Sequence, residues 1–288
     1  MADISAPNPD PDAPEGRLKI YFLPNLMTAG NLFCGFIALT KIVEANLVTD
    51  DYSDINLALF FILLACIFDL LDGRVARMGG QESPFGREFD SLADIISFGV
   101  APAFLVHRIV LRDLFGPHQE IGWFIASVYL ICGAFRLARF NCMAALPGGG
   151  GSKDFLGFPI PAAAGLVASL TLFLIWWEAR NFSRGYLRYI LPALLLLLSA
   201  MMVSRVRYPS FKKLDFRSQR TFTMTLMSIL IVGAILIFQL VLLRFLLPIG
   251  FTAYLLYGFI RPRISRRFRR EIEDDDDDDE PTSDNEPA

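Results

Sequence analysis

The chain is poor in the residues on which most soluble catalysis depends. It has only two histidines, His107 and His118, which belong to the side away from the main acidic cluster and form no nucleophile-base-acid set. Its four cysteines, Cys34, Cys66, Cys132 and Cys142, lie in or beside apolar segments without C-x-x-C spacing. They read as small buried hydrophobes, not as zinc ligands or disulfides. No glycine-rich phosphate loop is present, because the run Gly148 to Gly151 lacks a following lysine and helix start and reads as a flexible hinge. Residues 1–16 are rich in Pro and Asp, with no basic start and no small-residue cleavage site after an apolar core. A removable signal peptide is therefore not expected, and the first apolar span serves as its own insertion signal. Internal repeats are not evident.

What the chain does have is apolar length. Of 288 residues, 53% are hydrophobic and 26 are Phe. Runs of roughly 18 or more apolar residues, enough to cross a ~30 Å hydrocarbon core as a helix, recur along it. The expected fold is all-α, a polytopic transmembrane bundle of about eight spans at 20–43, 55–73, 90–111, 122–142, 160–177, 187–204, 222–240 and 244–260. Arg244, Pro248 and Gly250 interrupt the last stretch, which leaves open one span plus a re-entrant piece. With the N-terminus placed inside, the large majority of the 27 Lys and Arg residues fall on the cytoplasmic side. Both termini and the loop after the second span then face the cytoplasm. The expected division is a disordered segment at 1–19, a catalytic transmembrane core at 20–206, additional spans within 207–260, and a tail at 261–288. That tail begins with a basic cluster, Arg261 to Arg270, suited to anchoring topology and touching anionic headgroups, and continues into the self-repelling acidic run Glu273 to Glu280. The acidic run nearly cancels the basic flanks, so the net charge of −3 says little about partners, and no nucleic-acid partner is expected.

Against this apolar background, four carboxylates stand out. Asp69 and Asp72 are three apart at the cytoplasmic end of the second span, and Asp90 and Asp94 are four apart at the start of the third. Each pair shares a helix face. A connector of about a dozen residues, with Gly79, Gly80, Pro84 and Gly86, lets the helices return antiparallel so that the four converge. A charge within the membrane costs at least ~2.5–3.5 kcal/mol, so something positive must compensate. Arg77 supplies one charge against four. An oxygen-only set suits a hard dication, Mg²⁺ or Mn²⁺, and has room for two, a device used for phosphoryl transfer. The plainer possibility is a wet surface where the aspartates cap helices or pair with Arg74, Arg77 and Arg87. Gly73, Ala76 and Gly86 clear a path for a ligand to approach the backbone, unless they serve close helix packing, and Arg77 can bind a phosphate through its planar fork.

Read in order, these residues form D-x2-D-G-x2-A-R-x8-G-x3-D-x3-D from Asp69 through Asp94. The pattern resembles the signature of the CDP-alcohol phosphatidyltransferase family. The resemblance implies a helical membrane enzyme with a core of six spans, usually a homodimer, that moves a phosphatidyl or similar group from a CDP-linked lipid onto an alcohol and releases CMP. It assigns Asp69, Asp72, Asp90 and Asp94 to a di-metal centre and Gly73, Ala76, Arg77 and Gly86 to the CDP moiety. Asp94 doubles as general base for the acceptor hydroxyl.

Three further segments resemble the integral-membrane phosphatidylserine synthase branch of that family: Leu23 to Asn31, Phe135 to Asn141, and Phe155 to Ala164. They imply CDP-diacylglycerol and L-serine as substrates and the bacterial cytoplasmic membrane as location. Arg136 and Arg139 share a helix face at the cytoplasmic end and suit the serine carboxylate or a lipid phosphate, though both also fit as interfacial anchors. Another acceptor, such as glycerol 3-phosphate or inositol phosphate, stays open, as does a cation-coupled transporter whose aspartates bind the coupling ion.

Overall fold

A computed structural model describes residues 22–47, 52–78, 83–145, 154–178, 189–209 and 240–260. Among the described residues, five helices are long and apolar enough to cross a membrane: α1 Phe22–Glu44, α2 Ser53–Met78, α3 Pro84–Leu114, α4 Gln119–Ala145 and α5 Ile160–Glu178. Two further apolar helices follow, α6 Ile190–Val203 and α7 Leu240–Ile260, whose qualifying apolar stretches are shorter. Helices dominate because lipid offers no partners for backbone N–H and C=O groups, which must be paired within the segment. The expected span at 222–240 and the two terminal segments fall outside the described residues.

Burial separates an interior from a lipid-facing shell. About two thirds of the apolar window of α5 (67%) and of α3 (61%) is buried, against 33% for each of α1, α2 and α4, so α3 and α5 form the middle of the bundle. α1 lies along α2 and α3, α4 along α6, and α7 along α5. Phe33, Phe36, Phe124 and Phe135 point outward, as expected where hydrocarbon is the solvent.

Three details depart from the expectations above. First, α2 continues to Met78 and α3 already begins at Pro84, so the connector is only residues 79–83, and Pro84 and Gly86 belong to the first turn of α3. The cause is local: Ser83 takes extended backbone angles (φ −125°, ψ 150°) and its hydroxyl accepts the Gly86 N–H at 3.0 Å, while Pro84 occupies the first helical position. Second, Pro248 sits inside α7 without ending it, so these residues show one continuous helix in place of a re-entrant piece. Third, the all-helical bundle carries one small antiparallel pair, β1 Asp154–Leu156 with β2 Arg207–Pro209, in which Phe155 stands opposite Tyr208.

That pair joins the entrance of α5 to the exit of α6. Gly157 follows β1 at φ +81°, where a Cβ would meet the Met202 carbonyl oxygen and come within 2.7 Å of Arg139 Nη2. Only glycine takes that place without strain. Phe158, Tyr208 and Tyr254 form an aromatic cluster that seats α7 against the strand pair. Burial pushes the Tyr208 phenol up to about 12, so it stays protonated and donates to the Leu255 carbonyl at 3.4 Å.

Candidate active site

Asp69 and Asp72 project from the last turns of α2, and Asp90 from the second turn of α3. One carboxylate oxygen from each lies within 4.8 Å of the other two. Asp94, a turn further along α3, stands outside that triad although its charge interacts with all three. The expected four-carboxylate cluster is thus three together and one set apart. Asp94 is drawn toward α1, where Asn31 Nδ2 donates to its Oδ1 at 3.1 Å. Asp72 is held in the same way, with Thr28 Oγ1 at 3.1 Å from its Oδ2.

Oxygen-only donors at this separation fit a hard dication. Asp90 Oδ1 is buried without a hydrogen-bond partner, which is the state expected of an acceptor completed by an ion or a ligand. Mg²⁺ and Mn²⁺ share this preference.

Gly73 is half-buried beside Asp72, and Gly86 spends its N–H on the Ser83 cap. A Cβ on Gly86 would come within 3.2 Å of Ser83 Oγ and 3.4 Å of Asn25 Oδ1, so the first turn of α3 runs close to the start of α1. Ala76 and Arg77 fall on the last turn of α2, with side chains outside the described residues.

The two arginines of α4 separate in role. Arg136 is buried, 8% exposed; its guanidinium interacts electrostatically with Asp94 and Asp69, and its Nε has no hydrogen-bond partner. Arg139 instead donates to the carbonyls of Leu156 at 2.9 Å and Val203 at 3.0 Å, with Met202 and Ser204 at 3.2 and 3.4 Å. It closes the C-terminal turn of α6, where helix carbonyls lack intrahelical partners. Two residues on, Asn141 donates to Ser91 Oγ at 2.9 Å and ties the end of α4 to α3 between Asp90 and Asp94.

Thr28, Asn31, Ser91 and Asn141 were not among the site residues expected from sequence. For the α1 pair a signal existed: Pro24, Thr28, Asn31 and Gly35 recur at helical spacing on the buried face of an otherwise apolar span. Polar groups on an inward face of a membrane helix must hydrogen-bond across to a neighbour.

The CDP-alcohol phosphatidyltransferase family model matches residues 21–203, more than half of the chain and the whole of the helical unit that builds this site. The chain belongs to that family. Among its relatives, the CDP-diacylglycerol--serine O-phosphatidyltransferase of Helicobacter pylori (strain ATCC 700392 / 26695) is 35% identical over 244 residues, covering 84% of this chain and 91% of the relative. The enzyme of the same name from Bacillus subtilis (strain 168) is 34% identical over 197 residues, 67% of this chain and 92% of the relative. The archaetidylserine synthase of Methanothermobacter thermautotrophicus is 33% identical over 190 residues, 65% of this chain and 69% of the relative. The three names share serine. The family match ends at residue 203, at the end of α6, so α7 lies beyond the part common to the family.

Proposed function

We infer that this membrane enzyme transfers the phosphatidyl group of CDP-diacylglycerol to the hydroxyl of L-serine, forming phosphatidylserine and releasing CMP. The observation that carries the reading is the meeting of the Asp69, Asp72 and Asp90 carboxylates beside Asp94 and the buried, incompletely paired Arg136. Family membership weighs against the transport alternative.

In the proposed reaction the serine hydroxyl oxygen attacks the phosphatidyl phosphorus, the new O–P bond forms, and the bond from phosphorus to the CMP oxygen breaks. The electron pair leaves with CMP. Asp94 accepts the hydroxyl proton, a step that general bases accelerate by about 10²–10⁴-fold. Asp69, Asp72, Asp90 and Asp94 would hold Mg²⁺ or Mn²⁺, two ions by the carboxylate count, and bound dications supply charge neutralisation on the departing phosphate. Gly73, Ala76, Arg77 and Gly86 would receive the CDP moiety, with Arg77 as the phosphate-binding fork. Arg136 pairs with the serine carboxylate. Its burial makes that ion pair strong and specific. Arg139, tied to the end of α6, leaves acceptor binding to Arg136.

The same reading extends to the whole chain: a core at 20–206, added spans within 207–260 for a total of about eight, a homodimer, and both termini and the active site on the cytoplasmic side of a bacterial inner membrane. Purified protein given CDP-diacylglycerol, Mn²⁺ and L-serine is expected to release CMP and to form phosphatidylserine, read by mass spectrometry. Glycerol 3-phosphate and inositol 1-phosphate are tested in parallel. CMP release with either of these and not with serine overturns the acceptor assignment.

A further inference from the structure

The aspartates of α2 and α3 do not orient themselves. Two of the four carry a hydrogen bond from α1, a helix that contributes no acidic group to the site: Thr28 to Asp72 and Asn31 to Asp94, both at 3.1 Å. Thr28 and Asn31 are 3% and 0% exposed, so neither donor is shared with bulk water, and the single Thr28 hydroxyl proton is divided between Asp72 and the Pro24 carbonyl at 3.2 Å. The register of α1 against α3 is locked at the same level. Ser97 Oγ donates to the Asn31 carbonyl at 3.0 Å, and a Cβ on Gly35 would lie 2.8 Å from Ser97 Cα, so the two backbones touch one turn beyond Asn31.

α3 is irregular at this place. Directly after Asp94 it widens into a π-helical segment, Ile95–Val100, and the buried Tyr129 hydroxyl of α4 donates to the Phe98 carbonyl within it at 3.1 Å. Such segments cost helical regularity and are frequent at functional sites. Here the widened turn is fastened on one side by α1 through Ser97 and on the other by α4 through Tyr129. Asn31 Oδ1, the remaining polar atom of the amide, is buried without a partner. An orphan acceptor of this kind is costly to bury and marks a place that water or a ligand completes.

We propose that Asn31 is a positioning residue for the reaction, its amide fixing the Asp94 carboxylate through Oδ1 so that Oδ2 is presented to the acceptor hydroxyl and the adjoining dication, with Thr28 serving Asp72 in the same way. The proposal rests on the function inferred above. It adds α1 to a site that the aspartate pattern confines to α2 and α3. Outer partners of metal-binding carboxylates characteristically act in this way, and their loss costs about 10–100-fold in metal affinity or activity.

The test uses the full-length protein in detergent with three substitutions: Asn31→Leu, which keeps bulk and removes the donor; Asn31→Asp, which keeps shape and replaces the donor by an acceptor; and Thr28→Val. Mn²⁺ binding is measured directly by electron paramagnetic resonance of the free ion, alongside CMP release and thermal unfolding. The expected result is a fall of about 10–100-fold in Mn²⁺ affinity, in kcat or in both for Asn31→Leu, with the serine KM and the thermal midpoint near those of the unaltered protein. Asn31→Asp should fall further, because the isostere brings a second carboxylate against Asp94. Were Asn31 needed for shape alone, Asn31→Asp would be the mildest change, and turnover near the unaltered level in that variant overturns the proposal. If both Asn31 variants fail to fold, Thr28→Val decides, and unchanged Mn²⁺ binding and turnover there overturn it. Absence of CMP release by the unaltered protein would sink the functional reading instead, and the Mn²⁺ titrations would still report on the positioning role.

Discussion

Arg139 gives its guanidinium to the carbonyls of Leu156, Val203, Met202 and Ser204, whereas Arg136, three residues earlier on the same helix, is more deeply buried and keeps an unpaired Nε. The surroundings follow suit. Around Arg139 lie a helix end, a short strand pair and a left-handed glycine, with backbone groups as the partners. Around Arg136 lie carboxylates, and Asp90 Oδ1 and Asn31 Oδ1 are orphaned with it. A junction whose polar groups are satisfied by its own chain is architecture. One that leaves buried donors and acceptors open is built for something the chain does not contain.

The comparison can be broken experimentally, and the largest effect belongs to the open side. Asp94→Asn keeps the shape and the Asn31 contact region but removes the proton acceptor. Turnover should drop by roughly 10²–10⁴-fold, with little change in the KM for CDP-diacylglycerol, as measured by CMP release. Near-normal turnover would remove Asp94 from the chemistry.

A smaller loss is expected for Arg136→Leu. Without its charged partner the serine carboxylate loses an interaction of about 1.5–3 kcal/mol, roughly 10–100-fold, which should appear mainly in the KM for serine.

Arg139→Leu should do the reverse. Stranding the carbonyls at the end of α6 costs about 1–3 kcal/mol, read as a lower thermal midpoint in detergent, while the serine KM of the folded fraction stays near its original value. If Arg139→Leu raises the serine KM as much as Arg136→Leu does, the contrast between the two junctions fails.

Much of this was legible in the sequence, for identifiable reasons. The acidic cluster showed because helical spacing puts Asp69 with Asp72 and Asp90 with Asp94, and because charge is costly where the flanking residues are apolar. The early start of α3 was also written locally, in Ser83-Pro84, although the apolar run begins later and drew the boundary to residue 90. The two arginines could not be told apart in the same way. Both lie on one face at one end of α4, and what separates them is the C-terminus of α6, more than sixty residues away in the chain.

The order of residues alone determined that this chain lives in a membrane, that its carboxylates gather where α2 and α3 meet, and that the family is the one named above. Those properties depend on composition and on contacts within a few turns. Tertiary packing decided which carboxylate stands apart, which arginine remains open, and that α1, without an acid of its own, grips Asp72 and Asp94. These outcomes turn on hydrogen bonds between distant segments, and such bonds have a direction and a length only once the helices have packed.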